Sequence, residues 1–288
     1  MKEKIGIIGY GFVGSALDKG FNRNVEKCLI DPKLNTNISD LKEFDPSFIF
    51  ICLPTPMNDN GSQDCSIIYD VIDELSIRLP SKIIIIKSTV LPNHLDDLSK
   101  IYPNIVYNPE FLREKHADID FKKTNNLILG GPSKVLKKIV DLYRNHSVCE
   151  IDDSKIFYMD LKSASLIKYS INSFLASKVI FFNQLKLIFE DLECEIEWGD
   201  FIKAISSDSR MGNTHMDVPG NDGKLGFGGA CFPKDISALY DLSKYLKLEF
   251  SLLREAILIN EQIRNSLLDN LEDREREQNI NFNTLHRE

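Results

Sequence analysis

The stretch that decides the fold is the opening one, MKEKIGIIGYGFVG (1–14). A short apolar run, IGIIG (5–9), leads directly into Gly9-Tyr10-Gly11-Phe12-Val13-Gly14, a G-x-G-x-x-G. Placed between a strand and a helix, each glycine has a task. Gly9 permits the tight turn, Gly11 lets backbone approach a pyrophosphate, and Gly14 lets helix and strand pack closely. The helix that begins around Phe12 and Val13 adds amide donors and a positive dipole end for the phosphates. Asp31 ends a second apolar run, KCLI (27–30), 22 residues after Gly9. An acid there accepts hydrogen bonds from ribose hydroxyls and repels a 2′-phosphate, which favours NAD over NADP, although Lys33 nearby is a cation that could tolerate the phosphate. The basic start followed by an apolar run superficially resembles a signal peptide, but Gly6 and Gly9 break it, so it reads as a first strand.

Outward from this loop, further short runs repeat the pattern: SFIFICL (47–53), KIIIIKS (82–88), NIVYN (104–108) and NLILGG (126–131). They are continuous and rich in β-branched residues, as strands buried on both faces of a parallel sheet should be. Helical patterns such as SIIYDVIDELSIRL (66–79) and PSKVLKKIVDLYRN (132–145) lie between them. The alternation predicts an α/β fold: a doubly wound Rossmann-type NAD-binding domain over 1–155. The character then changes. Residues 159–193 contain no Pro or Gly and carry apolar residues at helical spacing, predicting one long helix. Shorter helices are expected at about 198–207, 235–247 and 251–270, with a Gly-rich loop from Met211 to Lys234. An all-α domain with a long central helix is therefore expected over 156–270, followed by a polar tail over 271–288. The apolar area of the long helix exceeds what one small helical domain covers, which predicts a homodimer.

The bulk numbers narrow the function. The 288 residues suggest about two domains, and 43% hydrophobic with 27% charged residues is the balance of a soluble globular protein. A net charge of −8 without a dense Lys/Arg run argues against nucleic acid as a partner. No run approaches the ~18 apolar residues of a membrane span. Six scattered cysteines without a C-x-x-C pair fit neither a zinc site nor a disulfide framework, so no metal is expected and a reducing cytoplasm is the expected setting.

Cys231 stands out within GFGGACFPKD (226–235). Glycines at 226, 228 and 229 let the backbone lie close to a ligand. The helix expected beyond Pro233 favours the thiolate, the nucleophilic form, and Asp235 follows four residues later as a candidate base. A lone cysteine is more often a small buried hydrophobe; the surrounding pattern reverses that balance.

That segment resembles the catalytic-cysteine segment of the UDP-glucose/GDP-mannose dehydrogenase family. Other stretches match in order: GYGFVG (9–14), CLPTP (52–56), KSTV (87–90), NPEFLRE (108–114), IKYSINSFLASKVIFFNQ (167–184), DSRMG (208–212) and VPGNDGKLGFGG (218–229). They run to about residue 264. The resemblance implies NAD-dependent four-electron oxidation of a sugar-nucleotide C6 alcohol to the carboxylate, with Cys231 forming a thiohemiacetal and then a thioester. It implies that Lys168 and Asn172, one helical turn apart, stabilise the C6 oxyanion. Asp235 and Thr89 would position or activate water, and Glu110 and Glu114 would handle protons, Glu110 being the better candidate. Pro54, Thr55, Thr89 and Glu114 would line the cofactor. Phe111, Leu112, Arg210, Gly220, Gly226 and Phe227 would join Glu110, Lys168 and Asn172 around the substrate; a salt bridge explains Arg210 equally well. The PGNDGKLGFGG loop leans toward UDP-glucose, with GDP-mannose and UDP-N-acetyl sugars as rivals.

There are departures from the family pattern. Ser165, Gln184 and Lys115 stand where the family usually has Glu, Glu and Gly. Family members also continue into a second α/β domain that grips the nucleotide. For a chain ending at Glu288 the expectations are incomplete nucleotide recognition, a partner chain supplying the missing wall, or a non-catalytic NAD-binding subunit.

Overall fold

A computed structural model describes residues 2–264. The expected polar tail and the end of the helix expected over 251–270 lie outside the described residues. Two compact units emerge. The first comprises the chain up to Pro56 together with Asp64–Lys168; the second comprises Met57–Gln63 and the chain from Tyr169 onward.

The first unit is built on a seven-stranded sheet: β1 (Glu3–Ile8), β2 (Val25–Ile30), β3 (Phe48–Ile51), β4 (Ile83–Ile86), β5 (Ile105–Tyr107), β6 (Leu127–Gly130) and β7 (Ile156–Met159). The spatial order is β2-β1-β3-β4-β5-β6-β7. Pairing is parallel except between β5 and β6, which run antiparallel through the single pair Tyr107 and Gly130. β3 and β4 are buried along their whole length, as their unbroken apolar runs require. β7 was not among the strands expected from the sequence. It lies at the sheet edge, where Phe157 and Tyr158 are each about half exposed.

Helices α1 (Phe12–Gly20), α2 (Ile38–Phe44), α3 (Ser66–Arg78), α4 (Pro92–Ile101), α5 (Ala117–Lys122) and α6 (Ser133–His146) connect the strands. α6 shows why they dock. Val135, Leu136, Ile139, Val140 and Tyr143 recur at helical spacing and are all buried. They join Phe21, Phe50 and Phe121 in the principal core of this unit. Strand order reverses between β1 and β3, because the chain goes from β1 to β2 on one side and returns to β3 on the other. In open α/β sheets the crevice beyond the strand ends at such a point is where ligands bind.

The long helix is α7 (Leu161–Asp191), 31 residues. From Tyr169 on, the second unit holds most of it, with α8 (Trp198–Ser206), α9 (Phe232–Tyr245) and α10 (Ser251–Arg264). Phe182, Met216 and Val218 form a small buried cluster there. α9 begins three residues earlier than the sequence suggested, since Pro233 is well suited to the first turn of a helix. Cys231 is therefore the N-cap residue.

Candidate active site

The glycine loop turns sharply at the end of β1. Gly9 has φ +90°, and a Cβ there would lie 2.5 Å from the Cys52 carbonyl oxygen. A Cβ on Gly14 would lie 2.0 Å from the Gly9 carbonyl oxygen, so strand and helix touch through bare backbone. Gly11 differs. It is the exposed N-cap of α1, and a Cβ there would meet nothing within 4 Å. The chain's own packing demands glycine at 9 and 14; at 11 the open space is what an approaching pyrophosphate needs. Phe12 and Val13 are half-buried at the first turn, against the principal core.

Asp31 lies at the end of β2, buried, with one carboxylate oxygen accepting the Tyr10 amide (2.7 Å) and the other the Lys33 amide (2.9 Å). The first bond ties the acid to the glycine loop. A carboxylate offers about four lone-pair sites, so capacity remains for ribose hydroxyls. These features fit NAD.

The CLPTP and KSTV segments are stitched together: the Thr55 hydroxyl donates to the Thr89 carbonyl (2.9 Å), and the Ser88 hydroxyl to the Leu53 carbonyl (2.6 Å). Thr55 and Thr89 are buried, and Pro54 is half-buried. In NPEFLRE, Lys168 Nζ donates to the Glu110 carbonyl (2.6 Å) and lies 3.6 Å from its carboxylate. The same ammonium sits 4.9 Å from the centre of the Phe111 ring. The second Glu110 oxygen accepts the Leu112 amide (2.5 Å). Lys168 and Glu110 are thus a buried, mutually held pair, and Phe111 is over a third exposed. Glu114 is half-buried at the start of a short 3-10 turn, Glu114–His116.

In the second unit, Asn172 Nδ2 donates to Asp235 (2.6 Å), and the Lys234 ammonium holds the other carboxylate oxygen (2.5 Å). Asp235 is 1% exposed, so this carboxylate is fixed by its two partners rather than by water. Its backbone amide donates to the Cys231 carbonyl (3.0 Å), closing the first turn of α9. Cys231 is half-buried. Gly226 and Phe227 are buried, and Gly220 closes a turn with Lys224. Arg210 is exposed on the surface, paired with Asp208.

Two features escaped the sequence reading. Lys234 was in plain view beside Asp235, yet only the fold shows that it pairs with that acid. Lys87, Asn108 and Tyr143 form the second. Lys87 Nζ donates to Asn108 Oδ1 (3.0 Å) and to the Tyr143 hydroxyl (3.3 Å), and Tyr143 donates to the same Asn108 oxygen (2.8 Å). Burial lowers the Lys87 ammonium to about 8, opposed in part by the Glu110 charge. Burial also pushes the Cys52 thiol up to about 12. Among the described residues there is no cluster of three or more His, Cys, Asp or Glu that could hold a metal. Nor is any described helix long and apolar enough to cross a membrane.

Comparisons with known proteins agree with this architecture. Residues 16–147 match the model of the UDP-glucose/GDP-mannose dehydrogenase family NAD binding domain, a range that starts just after Gly14. Residues 162–262 match the central domain of the same family. The chain is 34% identical over 243 residues to the UDP-glucose 6-dehydrogenase of Rickettsia felis, covering 82% of this chain and 52% of that protein. It is 33% identical over 230 residues to the enzyme of the same name from Rickettsia bellii, covering 77% and 51%. It thus spans about half the length of the curated relatives it matches. A UDP-glucose dehydrogenase structure from Pyrobaculum islandicum superposes with a TM-score of 0.75 at 23% identity, covering 91% of this chain and 68% of that one, and supports the fold. On the family models and these relatives, the chain belongs to the UDP-glucose/GDP-mannose dehydrogenase family and carries its NAD-binding domain.

Proposed function

We propose that this chain catalyses the NAD-dependent oxidation of a sugar-nucleotide C6 alcohol to the carboxylate, UDP-glucose to UDP-glucuronate being the favoured case. The observation that carries this reading is Cys231 at the N-cap of α9, with Asp235 in the first turn buried and held by Asn172 and Lys234. A thiol at a helix N-terminus is placed to react as thiolate. The domains proposed are 1–155 for NAD and 156–270 for the helical part that carries the cysteine, with 271–288 as a tail.

NAD supplies the hydride acceptor for each of the two oxidations. The loop Gly9–Gly14 and the start of α1 would hold its pyrophosphate and Asp31 its ribose; Pro54, Thr55 and Pro56 would line its nicotinamide side, with Thr89 and Glu114 as further cofactor contacts. Once C6 has become an aldehyde, Cys231 Sγ attacks it and a C–S bond forms. The Lys168 ammonium and the Asn172 amide stabilise the resulting oxyanion. Loss of the second hydride leaves a thioester. Asp235, with Thr89, positions a water whose attack breaks the C–S bond, and Glu110 handles the protons. The thiolate returns, and one alcohol, two NAD and one water yield one carboxylate, two NADH and three protons. Phe111, Leu112, Arg210, Gly220, Gly226 and Phe227 are the remaining substrate contacts.

A homodimer through α7 is part of the proposal. Phe174, Phe181 and Ile188 repeat every seven residues on that helix and are more than half exposed, which supports a covered face. A strictly monomeric mass in solution overturns it. Six scattered cysteines without a C-x-x-C pair support a reducing compartment, the cytoplasm.

The decisive assay follows NADH formation from UDP-glucose, GDP-mannose and UDP-N-acetylmannosamine with wild type and Cys231→Ser. The expectation is two NADH per sugar in the wild type and a stalled variant. NAD binding without NADH from any of the three sugars defeats the proposal, and equal turnover in Cys231→Ser removes the cysteine as nucleophile.

A further inference from the structure

The loop from Gly220 to Gly229, which precedes Cys231, is held by side chains from two helices of its own unit. Asn183 on α7 accepts the Gly226 amide (2.9 Å). Asn260 on α10 is fully buried and makes two bonds to one residue. Its Oδ1 accepts the Phe227 amide (2.7 Å), and its Nδ2 donates to the Phe227 carbonyl (3.1 Å). One turn later Arg264 donates from Nε to the Leu225 carbonyl (2.7 Å) and from Nη2 to the Gly226 carbonyl (3.2 Å). It also pairs with Asp222, and its side chain is only 5% exposed. Helix and loop leave no room between them. A Cβ on Gly226 would lie 2.4 Å from Asn260 Oδ1, and one on Gly228 2.2 Å from Arg264 Nη1.

An amide side chain that satisfies both backbone groups of one residue fixes its position and its orientation together. In a buried site, no water can take over either bond without the loop opening. Asn260 and Arg264 belong to none of the motifs that flag this chain's chemistry, yet they hold the Leu225 and Gly226 carbonyls and both backbone groups of Phe227. We propose that Asn260 and Arg264 are positioning residues that hold Leu225–Gly228 in the shape from which the loop meets the sugar nucleotide and leads into the turn bearing Cys231. The kinetic part of this proposal rests on the dehydrogenase reading above; the clamp itself does not.

The test uses the full chain and its Asn260→Ala, Asn260→Asp and Arg264→Gln variants. Asn260→Asp keeps the volume and the acceptor but sets a carboxylate oxygen against the Phe227 carbonyl. Amide hydrogen exchange at Gly226 and Phe227 should speed up about tenfold or more, because these amides then exchange by local opening, while α9 and the β-sheet keep wild-type rates. With a sugar nucleotide that is turned over, KM for that sugar should rise about tenfold while KM for NAD stays unchanged. A folded variant with wild-type exchange at Gly226 and Phe227 overturns the proposal, as does equal acceleration throughout α7, α9 and α10, which marks a general packing residue. Should the Asn260 variants not fold, Arg264→Gln decides on the same readout. If wild type turns over no sugar nucleotide, the dehydrogenase reading falls while the exchange rates still decide the clamp.

Discussion

Two glycine loops dominate this chain, and they are held in different ways. The first, Gly9–Gly14, is shaped by what lies next to it. Backbone meets backbone at Gly9 and at Gly14, and the Tyr10 amide is caught by Asp31 from the neighbouring strand. The second, Gly220–Gly229, is shaped by side chains of its own unit. Its form depends on Asn183, Asn260 and Arg264, side chains that arrive from 33 to 43 positions away. A loop of the first kind reads clearly in sequence because backbone packed on backbone demands glycine at a fixed spacing. The glycines of the second kind are visible, while the groups that make them necessary are not.

Substitutions can break this contrast or sharpen it. The largest effect is expected for Gly14→Ala, whose Cβ would have to displace the Gly9 carbonyl. With no flexible side chain to yield, we expect a loss of about 3 kcal/mol in denaturant unfolding together with loss of NAD binding. Unchanged stability would show that the strand–helix contact is not tight. Gly11→Val is the counterpart. Its side chain enters open space, so stability should move by only about half a kcal/mol while NAD affinity, measured by fluorescence titration, drops about a hundredfold. Equal losses of stability and affinity would erase the distinction between Gly11 and Gly14.

In the second loop, Gly226→Ala combines a left-handed φ of +72° with a clash against a movable amide, Asn260. About 2 kcal/mol is expected, and removing the obstructing side chain in Gly226→Ala/Asn260→Ala should relieve the clash part. Strict additivity in that double-mutant cycle would mean the two residues do not press on each other. The smallest effect belongs to Asp31→Ala. Loss of the ribose acceptor should cost NAD about tenfold in affinity and narrow the preference over NADP. A variant that still rejects NADP as strongly as wild type would move the selectivity elsewhere.

Much of the first unit was legible in the sequence. Ile83–Ile86 reads as a buried strand because all four side chains are apolar and both faces are covered. What the runs did not reveal was direction or edge. The antiparallel meeting of β5 and β6 rests on one residue pair, and β7 was missed. Its four residues, IFYM, are apolar like the other runs but stop just short of the long helix, so their strand character is not set off from the helical pattern that follows. The chemistry divides similarly. Asp235 and Cys231 stand four residues apart and were found by motif, whereas Lys168 and Glu110 are separated by 58 positions, so their contact needed the fold.

By itself, the sequence determined that a nucleotide loop follows the first strand, that Asp31 faces it, and that a cysteine precedes a helix with an acid in its first turn. Each follows from the spacing of motif residues along the chain or from the period of one element. Tertiary structure alone decided that Lys168 lies buried against Glu110, that Asn172 and Lys234 grip Asp235, and that Asn260 reads both backbone groups of Phe227. Lys234 and Asp235 apart, these are contacts between polar groups distant in sequence. They leave no periodic trace, because any hydrogen-bonding side chain is compatible with its own local helix and its partner is chosen only when the helices pack.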